Sequence, residues 1–257
     1  MFADKIQKGL EISISSLRNT NTNCRIILFI PNNIQLYPRH INFFRENNAE
    51  LIRFEYNKNI SPHILRYSCE LDYLKDIKYF PARIVHIDSF DSFFQYDPFI
   101  NVSYSSITFT GEGYLIKQCK WNKKWIRSCF DEKTLKELWG NEIICSGSIY
   151  GSANEYKKFL EVLIKQNKIY SCNMPSLDQA LVNYLVYSNF LKNQSIKYSI
   201  SSCSGNAISM AKCMHNSDML VNSNQQFLGI SNNVPAILHQ YDRYPAFKRE
   251  IDHLCYY

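Results

Sequence analysis

Glycine and proline are scarce in this 257-residue chain, eight of each. Collagen-like and low-complexity readings therefore fall away, and each glycine has to answer a local backbone need. The nine cysteines contain no Cys-x-x-Cys pair, which removes zinc-ribbon and thioredoxin-type sites. Neither a Gly-x-Gly-x-x-Gly run nor a Walker pattern occurs, so dinucleotide binding and ATP hydrolysis have no support. Long apolar runs are missing too. The longest, such as Ile26-Ile27-Leu28-Phe29-Ile30, falls far short of a bilayer span. No basic, apolar, cleavable leader opens the sequence, which as written reads as a soluble chain without a membrane span.

Charge of one sign is not in large excess. Lys and Arg number 29 against 23 Asp and Glu, a net +6 that suits a polyanionic ligand and equally suits no special partner. Hydrophobic residues at 46% and charged residues at 20% give the balance of a globular chain rather than a disordered one. The odd cysteine count leaves at least one thiol unpaired in a monomer, which leans toward a reducing, cytoplasmic compartment over a secretory lumen. Asn59, Asn101 and Asn193 open Asn-x-Ser triplets, a pattern that arises by chance in so Asn- and Ser-rich a chain.

Apolar periodicity predicts a helix from Asp4 to Leu17, a strand over Arg25–Ile30, a short helix over Ile41–Asn47 and a strand over Leu51–Phe54. A helix follows from Pro62 to Lys75, capped by Ser61, and then a strand over Ile84–Ile87. This βαβαβ alternation predicts an α/β fold with a mainly parallel sheet flanked by helices. The chain is read as a single domain over 1–257. Further strands are expected over Ser106–Thr110, Glu142–Gly151, Tyr198–Ser201, Ala207–Met210 and Met219–Val221. Ser152-Ala153-Asn154-Glu155 and Ser176-Leu177-Asp178-Gln179 have the spacing of capping boxes.

The stretch that organises these pieces is Ile84-Val85-His86-Ile87-Asp88-Ser89-Phe90-Asp91. Its β-branched residues read as a buried strand, and Asp88 falls at the carboxyl end, where open α/β sheets place ligands. Asp88 and Asp91 would repel each other, so a divalent cation with oxygen ligands is one reading; turn formation is the other. His239 also closes an apolar run. It reads as a core histidine, or as the imidazole that completes a metal set. Asp178, in a first helical turn, reads as a helix-start acid or as an ionised nucleophile, base or electrostatic stabiliser. Lys117 to Arg127 is basic with Trp121 and Trp125 interleaved. It is read as a solvated helix face with half-buried rings, and no nucleic-acid partner is expected.

Four landmarks occur in order: Asp88-Ser89-Phe90-Asp91 with Phe94-Gln95 and Asp97-Pro98-Phe99; Cys145-Ser146-Gly147 with Gly151; Asp178-Gln179 with Asn183; and His239-Gln240-Tyr241-Asp242-Arg243. Together they resemble nucleotide-sugar glycosyltransferases of the GT-A fold, hexosyltransferase-like proteins with a D-x-x-D metal motif. The resemblance runs from about residue 60 to 245. It implies a GT-A-like, Rossmann-like fold with a nucleotide and metal half over about 1–100 and an acceptor and sugar half over about 101–257. It implies Mn²⁺ or Mg²⁺ on Asp88, Asp91 and His239, and donor contacts from Asp88, Ser146, Gly147 and Arg66. It also implies that Asp178 and Gln179 stand beside the anomeric carbon, as in retaining members.

The activity so implied is transfer of a hexose from a UDP-sugar to a glycan or protein acceptor. Two departures stand out. Ser89 and Phe90 replace the basic residue usual between the acids, and the family's first strand has no counterpart before the Asp4–Leu17 helix. A catalytically degenerate binding or scaffold protein is therefore the alternative. A haloacid-dehalogenase-type phosphatase needs Asp-x-Asp, a spacing that Asp88 and Asp91 lack.

Overall fold

The computed structural model describes residues 8–20, 23–172, 176–214, 221–230 and 232–256. Helix α1 (Lys8–Asn19) leads into strand β1 (Ile26–Pro31), helix α2 (Pro38–Glu46), strand β2 (Ala49–Phe54), helix α3 (Pro62–Asp76) and strand β3 (Arg83–Ile87). After the two acids come β4 (Ser92–Phe94), β5 (Ile107–Leu115), α4 (Lys120–Cys129), α5 (Glu132–Leu138) and the long β6 (Glu142–Ser152). The chain continues through α6 (Ala153–Tyr170), α7 (Leu177–Tyr187), α8 (Phe190–Asn193), β7 (Tyr198–Ser201), β8 (Ala207–Ser209), α9 (Met210–Cys213), β9 (Ile237–His239) and α10 (Pro245–Tyr256). The fold is mixed α/β. Asp4 to Gln7 of the expected first helix, and Met219 and Leu220 of an expected strand, lie outside the described residues. Val221 makes an isolated antiparallel bridge to Phe227.

Among the described residues the strands form three sheets rather than one mainly parallel sheet. β1 and β2 pair in parallel, in register Ile26 to Ala49. β3 joins neither of them. It pairs antiparallel with β6, and the order continues β3-β6-β5-β7, with β6 antiparallel to β5 and β5 parallel to β7. The third sheet is β4-β9-β8, with β4 antiparallel to β9 and β9 parallel to β8. The physical reason for the departure lies in β6. Ten of its eleven residues are buried, so a strand covered on both faces takes β3 as one neighbour and β5 as the other. Gly151 makes this possible: at φ 144° it adopts backbone that side chains avoid, and a Cβ there would collide with the Ser106 carbonyl of the chain entering β5.

The largest apolar core lies where α3, α6 and α7 meet β5 and β6, with Tyr67, Phe109, Tyr156, Phe159, Leu160 and Leu181 all within 1% of full burial. α3 begins at Pro62 in the first helical position, as Pro's fixed φ favours. Its expected cap fails, because the Ser61 hydroxyl is buried without a hydrogen-bond partner. Neither capping box forms. Ser152 and Ser176 make no side-chain cap bond, and the Ser152 N–H donates to the Ser106 carbonyl instead of to Glu155. Glu155 takes the Lys158 ammonium and the Lys197 N–H, and Gln179 is drawn into the site described below. In α4, Trp121 is 53% exposed while Trp125 packs on the core, which matches a solvated face with half-buried rings.

Cys129 is disulfide-bonded to Cys172, and Cys203 to Cys213. Pairing therefore reaches further than the odd cysteine count suggested. Cys69, Cys119 and Cys145 are free thiols. No helix among the described residues is long and apolar enough to cross a membrane.

Candidate active site

Three strand ends from two sheets converge on one point. β3 delivers Asp88 past its last residue, the turn before β4 delivers Asp91, and β9 ends on His239, directly opposite Ser92 in the β4–β9 pairing. The turn is fixed by its own backbone. Ser92 Oγ donates to the Asp88 carbonyl at 2.5 Å, and the Gln240 N–H donates to the Asp91 carbonyl at 2.7 Å. Between the acids, α1 packs so closely that a Cβ at Gly9 would collide with the Phe90 carbonyl.

Ligand atoms of Asp88, Asp91 and His239 lie within 4.8 Å of one another. His239 Nε2 stands 3.6 Å from Asp88 Oδ2 and 3.4 Å from Asp91 Oδ1. His239 Nε2 and Asp91 Oδ1 are both buried, and neither makes a hydrogen bond. With the ring protonated the two atoms form an ion pair without a hydrogen bond; with the ring neutral, a cation between them would satisfy both. Nitrogen and carboxylate oxygen donors fit a divalent cation such as Mn²⁺ or Mg²⁺. On its other ring nitrogen, His239 Nδ1 contacts Cys145 Sγ at 3.4 Å, a contact that fixes the ring's orientation.

The local charges agree. Burial opposes the imidazolium of His239, but the Cys145 sulfur and the carboxylates of Asp91 and Asp88 outweigh it and hold the ring's pKa well above its ordinary value. Burial likewise opposes the Asp88 carboxylate, yet the Arg66 guanidinium and His239 prevail and hold it well below the usual carboxylate range. The site therefore attracts a cation, be it a proton or a metal.

Arg66, on α3, supplies the positive charge that Ser89 and Phe90 do not. Nη1 donates to Asp88 Oδ1, while Nη2 donates to Asp178 Oδ2 at 2.7 Å and to the Ser146 carbonyl at 3.2 Å. The same carbonyl accepts the Tyr67 hydroxyl at 2.9 Å and lies 3.2 Å from His86 Nε2. Gly147 follows, and its own carbonyl accepts the Asp88 N–H at 2.9 Å. A Cβ at Gly147 would collide with the Asp88 carboxylate, so glycine is what lets β6 pass this close.

Gln179 Oε1 accepts the Ser146 N–H at 3.3 Å, and its Nε2 donates to Asn122 Oδ1 at 3.1 Å and Glu112 Oε1 at 3.3 Å. One turn on, Asn183 clamps β6. It accepts the Ile144 N–H and donates to the Ile144 carbonyl, both at 2.9 Å. Asp88, Arg66, Ser146, Gly147, Asp178 and Gln179 thus form one bonded set with the Asp91–His239 pair at its edge.

Not all of this set faces open space. A cavity of about 1830 Å³ reaches Arg66, Asp88 and Asp91, but Ser146, Gly147, Asp178, Gln179 and His239 are not in its wall. Asp178 is buried behind Arg66, with His63 Nδ1, itself on the cavity, 3.9 Å from Asp178 Oδ1.

Behind these residues lies a layer of polar groups that no sequence pattern singled out. His86 Nδ1 lies 2.9 Å from Glu70 Oε1, Tyr156 donates to Glu70, and His86 stacks on Tyr67 at 5.4 Å. A lone histidine inside the apolar run 84–87 was the available signal. Glu112, a carboxylate set between two glycines in β5, was another. No protein-family model matches the chain, and no curated protein matches it.

Proposed function

We propose that this protein is a metal-dependent glycosyltransferase that moves a hexose from a UDP-sugar to a glycan or protein acceptor. The observation that carries the reading is the pair of buried, unbonded ligand atoms, His239 Nε2 and Asp91 Oδ1, facing each other beside Asp88. Asp88, Asp91 and His239 would hold Mn²⁺ or Mg²⁺. A divalent cation held there supplies Lewis-acid neutralisation of the charge that develops on a leaving diphosphate.

The chain's own residues do the rest. Arg66 offers a forked donor at the same end of the cavity, suited to phosphate oxygens. Asp178, buried behind Arg66, would come within reach of the sugar only if that guanidinium turned to an anionic ligand. Gln179, held by Asn122 and Glu112, fixes the Ser146 backbone on which Arg66 rests. Retention of configuration follows from this reading of Asp178 and Gln179. The two disulfides support an oxidising compartment over the reducing one that the cysteine count favoured.

The test is incubation of the protein with Mn²⁺ and a panel of UDP-hexoses, with released UDP and transferred sugar measured. Metal-dependent UDP release supports the reading. A full panel without turnover, together with metal-dependent binding of UDP, would instead favour a binding or scaffold protein.

A further inference from the structure

A carboxyl and a thiol, Glu112 and Cys145, are buried behind His239 and lie outside the cavity wall. Burying a carboxyl is costly unless its oxygens are hydrogen-bonded. Glu112 Oε1 accepts one bond, from Gln179 Nε2 at 3.3 Å. A second partner comes from the neighbouring strand. β5 and β6 pair Gly111 with Ile144, so the next residue on each strand, Glu112 and Cys145, projects from the same face of the pair. There the Cys145 thiol and the Glu112 carboxyl are hydrogen-bond partners.

The same sulfur meets His239 Nδ1 at 3.4 Å. A thiol has one hydrogen to donate and sulfur lone pairs with which to accept. Its S–H goes to Nδ1 or to Glu112, not to both. In the first case a neutral ring carries its own proton on Nε2, aimed at Asp88 and Asp91, and the buried carboxyl loses a donor. In the second case the sulfur is left as an acceptor, and Nδ1 keeps the ring proton and donates it. The second arrangement makes two hydrogen bonds where the first makes one. It holds for either charge of Glu112, because a carboxyl oxygen accepts in both forms.

We propose that Cys145 and Glu112 are positioning residues: Glu112 takes the Cys145 S–H, the sulfur takes the His239 Nδ1–H, and the ring is held with the Nε2 lone pair facing Asp88 and Asp91, ready for a divalent cation. This role rests on the metal reading of Asp88, Asp91 and His239. Ligating histidines commonly donate their other ring N–H to a carboxylate or carbonyl, and losing that partner costs about 10–100-fold in metal affinity. Here a thiol stands between ring and carboxyl. Gln179 anchors the far end, since its Nε2 also donates to Asn122 Oδ1 at 3.1 Å and its Oε1 accepts the Ser146 N–H at 3.3 Å. One amide side chain therefore fixes both Glu112 and the strand that carries Cys145.

Packing and hydrogen bonding make opposite predictions at Cys145. Serine keeps a donor and an acceptor but loses volume, whereas valine keeps the volume and loses both. Mn²⁺ is titrated calorimetrically into the whole 257-residue protein, with melts to show that each variant folds. Cys145→Ser should stay within about threefold of the unaltered affinity, and Cys145→Val should lose at least about tenfold. Glu112→Gln keeps an acceptor oxygen and should behave like the serine variant; Glu112→Leu should behave like the valine variant. Should a variant fail to fold, imidazole nitrogen NMR of the unaltered protein loaded with Mg²⁺ decides, with the His239 proton expected on Nδ1.

A proton on Nε2 in those spectra overturns the proposal. So does the reverse order of affinities, with valine retaining the metal and serine losing it. If the unaltered protein binds neither ion, the metal reading falls and takes these roles with it. If it binds Mn²⁺ and both Cys145→Val and Glu112→Leu match it, the positioning roles alone fall.

Discussion

Arg66 Nη2 donates to Asp178 Oδ2 at 2.7 Å, and Asp178 is 1% exposed. This pair ties α3 to the first turn of α7 behind the proposed metal ligands. Arg66→Ala removes the cation and leaves the carboxylate buried without it, a loss of about 3–5 kcal/mol. Arg66→Lys keeps the charge but cannot fork between Asp88 and Asp178, so it should fall between Ala and the unaltered protein. Urea denaturation measures both. A loss in Arg66→Ala below about 1 kcal/mol, the range of surface pairs, would show that the bond is not a structural one.

Gly147→Ala tests the close passage of β6 beneath Asp88. The added methyl meets the carboxylate itself, so Asp88 has to move. We expect a destabilisation of about 1–3 kcal/mol, as for other overpacked sites. Metal affinity should fall with it, since Asp88 is displaced from His239. Thermal melts with and without Mn²⁺ separate the two effects.

Glu112 gives a pH-dependent prediction. Burial pushes its carboxyl up, with His239, Arg243 and the Gln179 amide pulling the other way and losing. A carboxyl whose folded pKa is raised costs nothing while both states are protonated. Stability is then lost as pH climbs from the unfolded value, about 4.3, through the raised folded one. Glu112→Gln keeps an acceptor and cannot ionise. Its melting temperature relative to the unaltered protein should therefore rise as pH climbs above about 4.3; a difference that stays flat would mean that burial does not raise the Glu112 carboxyl.

The disulfides carry separate expectations. Closing 43 residues between Cys129 and Cys172 is worth about 4 kcal/mol in the chain-entropy model, and closing 10 between Cys203 and Cys213 about 3 kcal/mol. Cys129→Ser should thus lower the melting temperature more than Cys203→Ser. Dithiothreitol should remove both contributions in the unaltered protein and only one in either variant.

Much of the local structure was legible from residue pattern. The β-branched run ending at Asp88, proline at the start of α3 and the periodic apolar face of α7 all point to the elements observed. Sheet order was not legible. Alternation of strands and helices cannot say that β3 prefers β6, because that choice rests on Gly147 and Gly151 letting a buried strand approach from 60 residues away. The capping boxes failed for a similar reason. Glu155 and Gln179 sit at the right spacing, but distant partners, the Lys197 N–H and the Ser146 N–H, claim them. At the site, Asp88, Asp91 and His239 were readable as acids and an imidazole closing apolar runs. The role of Arg66 as the bridge from Asp88 to Asp178, and the Glu70–His86–Tyr67 layer behind it, depend on side chains from separate elements meeting in space.

Binding of Mn²⁺ in the presence of UDP, followed by isothermal titration calorimetry on the unaltered protein and on Asp91→Asn and His239→Ala, bears most directly on the metal centre. One ion per chain should bind to the unaltered protein, and affinity should drop at least tenfold in each variant while both still melt cooperatively. Unchanged affinity in either variant would contradict Asp91 and His239 as metal ligands.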